Sequence, residues 1–332
     1  MSTPIRLGTR RSALAQAQSG HVAAALEKVI GRRVELVPIT SEGDTNRASL
    51  SEIGGQGIFA TRLRDALVAG ECDLLVHSLK DLPTAQPDGL VVAAIPPRED
   101  ARDVVITRDG TPLHELPAGS RVGTGSPRRI AQVRIRAPRA EVVDIRGNVD
   151  SRLRKVLSEE LDAVILAAAG LARLSPDVEL FGEALGFAEW PTAPGQGALA
   201  VETTTDAAPE LRAALAALDH AETRTSVTVE RAILEGLDAG CQAPMAAHAV
   251  VDGSSVRVRS VVYAPDGAQR IGLDVTEDLN GGYIRRNGSG NEADAADGAD
   301  PMHAARELGL SLARRLLDHG AADLAFRELL DD

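Results

Sequence analysis

The amino-acid sequence predicts an α/β protein: two similar doubly wound lobes forming a cleft, followed by a small C-terminal α+β domain. Three observations carry this. Strand-like and helix-like patterns alternate through residues 5–82 and again through residues 104–174. Pro96-Pro97 and the run Pro194-Gly195-Gln196-Gly197 punctuate the chain where it crosses from one set to the other and back. From about His220 the pattern changes to one long amphipathic helix and three alternating strands. The expected domains are residues 1–97 with 198–217, residues 98–197, and residues 218–332.

In order, Ile5 to Arg10 alternates and reads as a strand. Ser12 suits an N-cap for an alanine-rich helix over Ala13 to Ile30, and Val34 to Ile39 is a second strand. Ser41 to Gly57 is polar and glycine-rich, and reads as a mobile active-site loop or lid. Phe59 to Val68 is helical, and Asp73 to Val76 is a short buried strand leading into His77-Ser78-Leu79-Lys80-Asp81-Leu82-Pro83. Leu90 to Ile95 and Val104 to Thr107 are strands on either side of the first crossing.

The second set runs strand Arg121 to Gly123, helix Pro127 to Arg136 opened by Ser126, strand Glu141 to Asp144 and helix Asn148 to Leu157. Strand Asp162 to Leu166 and helix Ala167 to Leu174 complete it, and Leu199 to Glu202 rejoins the first sheet. The third region has a helix from Glu222 to Leu237, then Ala239-Gly240-Cys241-Gln242-Ala243-Pro244. Strands over Ala246 to Val251, Ser255 to Val262 and Gln269 to Val275 follow. Asp278 to Pro301 reads as a disordered insertion, and Met302 to Leu317 as a terminal helix. No repeat of 20–50 residues is evident.

The chain has 332 residues, 44% hydrophobic and 25% charged, which is a soluble globular composition. No apolar run reaches the roughly 18 residues of a membrane span, and the N-terminus lacks a signal-peptide core. Cysteines at 72 and 241 only give neither a disulfide framework nor metal-ligand spacing, so a cytoplasmic protein without a metal is expected. Net charge is −12, and of 36 basic residues only Lys28, Lys80 and Lys155 are lysines. That balance argues against nucleic acid as a partner and suits a surface hydrated in high salt.

The arginines cluster at element starts. Arg10 precedes the first helix. Arg128 and Arg129 occupy the first turn after Gly123-Thr124-Gly125-Ser126, and Arg146 and Arg152 flank Gly147-Asn148. Arg98, Arg102, Arg173 and Arg231 lie at other junctions. An arginine at a helix start opposes the helix dipole, at a cost of about 0.3–1 kcal/mol. Repetition of that cost suggests anion recognition, since guanidinium forks grip carboxylates in pairs. Any one of them alone is more simply a surface ion pair.

Other candidates stay two-sided on the residues alone. Ser12 and Ser126 each suit a helix cap that also donates to an anion. His77 is a base or a satisfied structural residue. Asp81 is a turn residue, or a carboxylate placed to stabilise a cation and exchange a proton. Cys72 reads as inert packing. Cys241, between Gly240 and Pro244, is a small packed residue or a positioned thiol.

The motifs Arg6-Leu7-Gly8-Thr9-Arg10-Arg11-Ser12, His77 to Pro83, Gly123 to Arg129, Arg146-Gly147-Asn148-Val149 and Gly240-Cys241-Gln242 with Pro244 stand in register. Together they resemble the porphobilinogen deaminase (hydroxymethylbilane synthase) family over residues 5 to about 275 and the last helix. The resemblance implies a clamshell like that of periplasmic binding proteins, working as a monomer without membrane or nucleic acid. It implies a dipyrromethane cofactor joined through a thioether to Cys241. Four porphobilinogens lose ammonia and add head to tail, and hydrolysis releases the linear tetrapyrrole. Each ring of the growing oligopyrrole carries an acetate and a propionate, which accounts for arginines inside a net-acidic protein.

Asp81 matches the family's catalytic aspartate, set to stabilise the azafulvene cation left by ammonia. Arg10, Ser12, Lys80, Thr124, Ser126, Arg128, Arg129, Arg146, Gly147, Arg152 and Arg173 match binding positions. Arg98 and Arg231 are additions, and Phe59 is placed to stack on a pyrrole. Glu52 and Gln56 stand where many members have lysines, so no binding role carries to that loop. Gly125 and Pro127 also replace commoner residues. The alternatives are a non-catalytic clamshell carboxylate-binding protein, in which Cys241 is dispensable, and an effector-binding regulator, for which no DNA-binding segment is present.

Overall fold

The computed structural model describes residues 3–40, 58–174, 181–238, 243–279 and 300–325. The chain divides into two compact units: Met1–Ala101, Ala168–Asp177 and Gln196–His220 form one, and Arg102–Ala167, Val178–Gly195 and Ala221–Asp332 the other. Strands and helices are numbered along the whole chain.

In the first unit, β1 (Ile5–Arg10), β2 (Val34–Ile39), β3 (Leu74–Ser78), β4 (Leu90–Ala94) and β10 (Leu199–Thr204) form a sheet ordered β2-β1-β3-β10-β4. β1 runs parallel to β2 and β3, while β10 is antiparallel to both its neighbours. Successive side chains of a strand face opposite sides. Accordingly, Leu74 and Val76 pack with Val22 and Leu26 of α1 (Ala13–Ile30) and Leu211 and Leu215 of α6 (Pro209–Ala216). Leu75 packs on the other face with Leu63 and Leu67 of α2 (Ile58–Val68). Each buried leucine of this kind contributes about 1.5–3 kcal/mol. Cys72 lies in that second layer, where burial, with the Asp73 charge beside it, pushes its thiol up to about 11. It is unreactive packing, as its place in the sequence suggested.

In the second unit, β5 (Asp103–Thr107), β6 (Arg121–Gly123), β7 (Glu141–Val143), β8 (Ala163–Ala167) and β9 (Phe181–Ala184) form a sheet ordered β7-β6-β8-β5-β9. β6 is parallel to β7 and β8, and β5 is antiparallel to β8 and β9. The two sheets share one topology. In each, the strand next to a chain crossing, β10 or β5, inserts antiparallel between the third and fourth strands. This is a doubly wound arrangement, repeated without any repeat in the sequence. The same unit holds α3 (Pro127–Arg136) and α4 (Val149–Leu157), and the first unit α5 (Ala168–Leu174).

The C-terminal region is α+β. β11 (Met245–Asp252), β12 (Ser255–Tyr263) and β13 (Arg270–Asp278) make an antiparallel meander covered by α7 (Ala221–Gly236) and α8 (Pro301–Asp318), with α9 (Ala321–Ala325) after them. Gly309 lets α8 approach closely, since a Cβ there would lie 2.5 Å from the Val229 carbonyl oxygen on α7. These residues belong to the same compact unit as the second sheet. The loop expected over Ser41 to Gly57 lies outside the described residues. So do the Cys241 thiol, the Phe59 side chain and most of the insertion, of which Asp278 closes β13 and Pro301 opens α8.

Candidate active site

Ligands of doubly wound sheets gather at the carboxyl ends of the parallel strands, and the candidate residues follow β1, β3 and β6. In the first unit, β1 ends at half-buried Arg10. Ser12 caps α1, accepting a hydrogen bond from the Ala15 amide at 3.3 Å. β3 ends at Ser78, whose hydroxyl is held 2.9 Å from the Gln18 amide nitrogen. A 3-10 turn over Leu79–Asp81 follows. Leu79 and Leu82 are buried, and the Leu79 amide donates to the Ala198 carbonyl at 3.0 Å. With its apolar residues pinned, the turn presents Lys80 and Asp81. Asp81 is exposed, and its carboxylate makes no hydrogen bond or ion pair among the described residues.

Three cations converge on the returning segment. Lys80 Nζ lies 3.5 Å from Gln196 Oε1, Arg98 Nε donates to the Gln196 carbonyl at 2.7 Å, and Arg173 Nη2 donates to the Gly197 carbonyl at 2.9 Å. Burial lowers the affinity of Arg173 for its proton, and the Glu99 charge partly offsets this. His77 is buried with its Nε2 3.2 Å from Glu202 Oε2. Glu202 also takes the Arg64 guanidinium at 3.0 and 2.8 Å and the Gln86 amide at 3.2 Å. Burial would raise the Glu202 carboxyl, but the bonds from His77 and Arg64 outweigh it and bring it down to about 2. Of the two readings left open for His77, the structural one describes this geometry.

In the second unit, Gly123 ends β6 and fully buried Thr124 accepts the Ser126 amide at 3.2 Å. Ser126 occupies the N-cap position of α3, but its side chain makes no cap hydrogen bond. That corrects the capping role expected of it: neither the Arg128 nor the Arg129 amide, the groups an N-cap side chain would bind, donates to the Ser126 hydroxyl. A Cβ on Gly125 would sit 2.8 Å from Asp144 Oδ1 and 2.9 Å from the Ile145 carbonyl oxygen. This departure from the commoner residue therefore has a steric reason. Asn148 caps α4 by accepting the Ser151 amide at 2.9 Å. Gly147 has φ +107°, and its carbonyl takes Arg152 Nε at 2.9 Å.

Arg128 and Arg129 are 3% and 6% exposed and both grip fully buried Asp103. Arg128 Nη1 is 2.9 Å from Asp103 Oδ2, and Arg129 reaches the two oxygens at 3.2 and 2.6 Å. The Trp190 indole adds a fourth donor at 2.9 Å. Burial opposes ionisation of Asp103, yet the two guanidiniums hold its carboxyl well below the usual carboxylate range. Asp103, Trp190, Gln196 and Glu202 escaped the sequence reading. For Glu202 the signal available was a charge within the strand Leu199 to Glu202; the other three lie outside the strands read from the sequence.

Arg152 is half-buried, and its protonated form is disfavoured first by burial, then by the charges of Arg129 and Arg146, with only partial relief from Asp144. Arg146 pairs loosely with Asp144 at 3.7 Å. A cationic cluster stabilised so incompletely from within suits an anionic ligand. Residues 5–211 match the family described as "Porphobilinogen deaminase, dipyromethane cofactor binding domain", and residues 224–318 match "Porphobilinogen deaminase, C-terminal domain". This chain belongs to the porphobilinogen deaminase family.

Relatives agree over nearly the whole length. The porphobilinogen deaminase of Leifsonia xyli subsp. xyli is 48% identical over 327 residues, 97% of this chain and 94% of that one. Porphobilinogen deaminase 1 of Streptomyces coelicolor is 51% identical over 332 residues, covering 96% and 97%. That of Thermobifida fusca is 46% identical over 322 residues, covering 96% and 95%. Porphobilinogen deaminases are transferases of tetrapyrrole biosynthesis that act on porphobilinogen, and the non-catalytic carboxylate-binding alternative is not favoured. The residues present fit the family's polycarboxylate cofactor. In the second unit Arg128, Arg129, Arg146 and Arg152 outnumber the carboxylates of Asp103 and Asp144, and Arg128 Nε is buried without a hydrogen-bond partner among the described residues.

Proposed function

We propose that this chain is a hydroxymethylbilane synthase in which Cys241 holds a dipyrromethane through a thioether. Four porphobilinogens condense head to tail, each expelling ammonia as a carbon–carbon bond forms, and water then releases the linear tetrapyrrole. When bound, the dipyrromethane supplies the pyrrole end at which the chain lengthens.

Arg129, Arg146 and Arg152 hold ring carboxylates, helped by Thr124, Ser126 and the backbone at Gly147. The crowding of those three guanidiniums is the observation that most supports this reading. Arg10, Ser12, Lys80, Arg98 and Arg173 take the carboxylates of incoming porphobilinogen, and Phe59 stacks on a pyrrole. Arg128 contributes chiefly through the Asp103 cluster, and Arg231 is an additional contact. Asp81 stabilises the cation that forms when ammonia leaves and accepts a proton from the pyrrole nitrogen. An exposed carboxylate beside Lys80, unpaired among the described residues, is suited to both tasks.

We further propose the three domains outlined from the sequence, and a cytoplasmic monomer acting without nucleic acid or membrane. Net charge of −12 argues against a nucleic-acid partner, and no helix among the described residues is long and apolar enough to cross a membrane. Asp81→Asn tests the chemistry. Because Asp81 is exposed, the variant should keep wild-type thermal stability while product formation falls at least about 100-fold. Product formation near the wild-type rate would remove Asp81 from this role.

A further inference from the structure

The return crossing, Gln196-Gly197, receives side chains from three separate stretches: the turn after β3, the outgoing crossing, and α5. Its geometry is tightly determined. Gly197 has φ +86°, and a Cβ there would lie 2.5 Å from the Glu99 carbonyl oxygen. Its carbonyl is fixed by the Glu99 amide at 3.3 Å while it accepts Arg173. Gln196 is fully buried, and its Nε2 donates to the Ala101 carbonyl at 2.7 Å. Flipping the amide would set its oxygen against that carbonyl, so Oε1 is obliged to face Lys80. A buried amide locked at one end is a rigid support for an ammonium whose own four-carbon stem is flexible.

We propose that Gln196 is a positioning residue: its buried amide fixes the Lys80 ammonium on the turn that presents Asp81. The proposal rests on the reading of Lys80 as a contact for a porphobilinogen carboxylate. Gln196 touches no substrate in this account. It acts by reducing the orientations Lys80 must give up when porphobilinogen binds, so its loss should appear in KM more than in kcat.

The test is a double-mutant cycle on the cofactor-loaded enzyme, with initial rates measured against porphobilinogen concentration. Gln196→Met keeps the side-chain volume and removes the acceptor. It should raise KM about tenfold, the weak end for a hydrogen bond to a charged group. In a Lys80→Met background the same substitution should change KM by less than about twofold, because the group it positions is gone. Multiplicative effects in the double variant would overturn the proposal and make Gln196 a general packing residue. If Lys80→Met raises KM and Gln196→Met does not, the role of Lys80 survives and that of Gln196 fails. If Lys80→Met leaves KM unchanged, both fail.

Should Gln196→Met not fold, Gln196→Glu provides a second route through thermal stability. The new carboxylate meets the Lys80 ammonium in the parent and loses that cation in Lys80→Met, so its Tm penalty should be larger in the second background. Equal penalties would show that the two groups do not meet.

Discussion

Replacing Asp103 by Asn removes one buried negative charge and leaves two buried guanidiniums facing each other. Asp103 is fully buried and accepts four hydrogen bonds, from Arg128 at 2.9 Å, Arg129 at 3.2 and 2.6 Å, and Trp190 at 2.9 Å. An asparagine offers one acceptor oxygen and must turn an NH2 donor toward these donors. Removing one partner of a buried ion pair costs about 3–5 kcal/mol. With two cations stranded, about 4 kcal/mol is a conservative figure on that scale.

Trp190 is the chain's only tryptophan and bonds to Asp103 itself, so its fluorescence reports unfolding at this place. With a urea slope of about 2 kcal/mol/M, the midpoint should fall by about 2 M. Asp274 provides the control. It also binds two arginines, Arg257 and Arg259, but its side chain is 34% exposed. Asp274→Asn should cost no more than about 1 kcal/mol, as exposed ion pairs do. A shift for Asp103→Asn as small as the Asp274 control would refute the claim that this buried cluster anchors α3. The pH dependence has a definite sign. A carboxyl held below its unfolded pKa of about 3.9 contributes its full stability above that value and loses it as pH falls toward the folded value. The wild-type protein should therefore lose stability below about pH 4 with a slope that Asp103→Asn reduces.

Glu202 behaves alike over a narrower range: its folded carboxyl is near 2 against an ordinary 4.5, so its stabilisation is complete above about pH 4.5 and lost on acidification toward about pH 2. Glu202→Gln should flatten acid unfolding in that window, and an unchanged profile would count against the His77–Glu202–Arg64 network. Gly147→Ala drives a Cβ into Ser151 Oγ at φ +107° and should lower stability by about 1–3 kcal/mol. A wild-type urea midpoint would contradict that strain. Arg152→Leu should reduce cofactor occupancy, read by intact mass, with little change in Tm. Arg128→Leu should do the reverse and chiefly lower Tm. Equal behaviour of the two variants would erase the distinction drawn between Arg152 and Arg128.

Much of the fold was legible because its pattern is local. β6 and α3 were bounded correctly at both ends, since a glycine closes the strand and Ser126-Pro127 opens the helix. β9, largely exposed at a sheet edge, lacks the buried alternation that marks a strand, and α6 is a short alanine-rich helix without a side-chain cap; neither was foreseen. The shared sheet topology is carried by backbone pairing alone and leaves no repeat to read. For the site, the Leu82-Pro83 break after β3 made Asp81 a candidate, and the Gly147-Asn148 break before α4 did the same for Arg146 and Gly147. The supporting shell was hidden because its partners are distant in sequence. Asp103 meets Arg128 across 25 residues and Glu202 meets Arg64 across 138, and in each case a charge in a strand reads as surface until the partner is seen.

The central claim is that this enzyme builds its product on a primer attached to Cys241. Intact-mass measurement of freshly isolated, active protein tests it most directly. The account predicts the polypeptide mass plus two porphobilinogens less two ammonias, and the bare mass in Cys241→Ser. An active wild-type protein at the bare polypeptide mass, or a Cys241→Ser variant that keeps the increment, would contradict it.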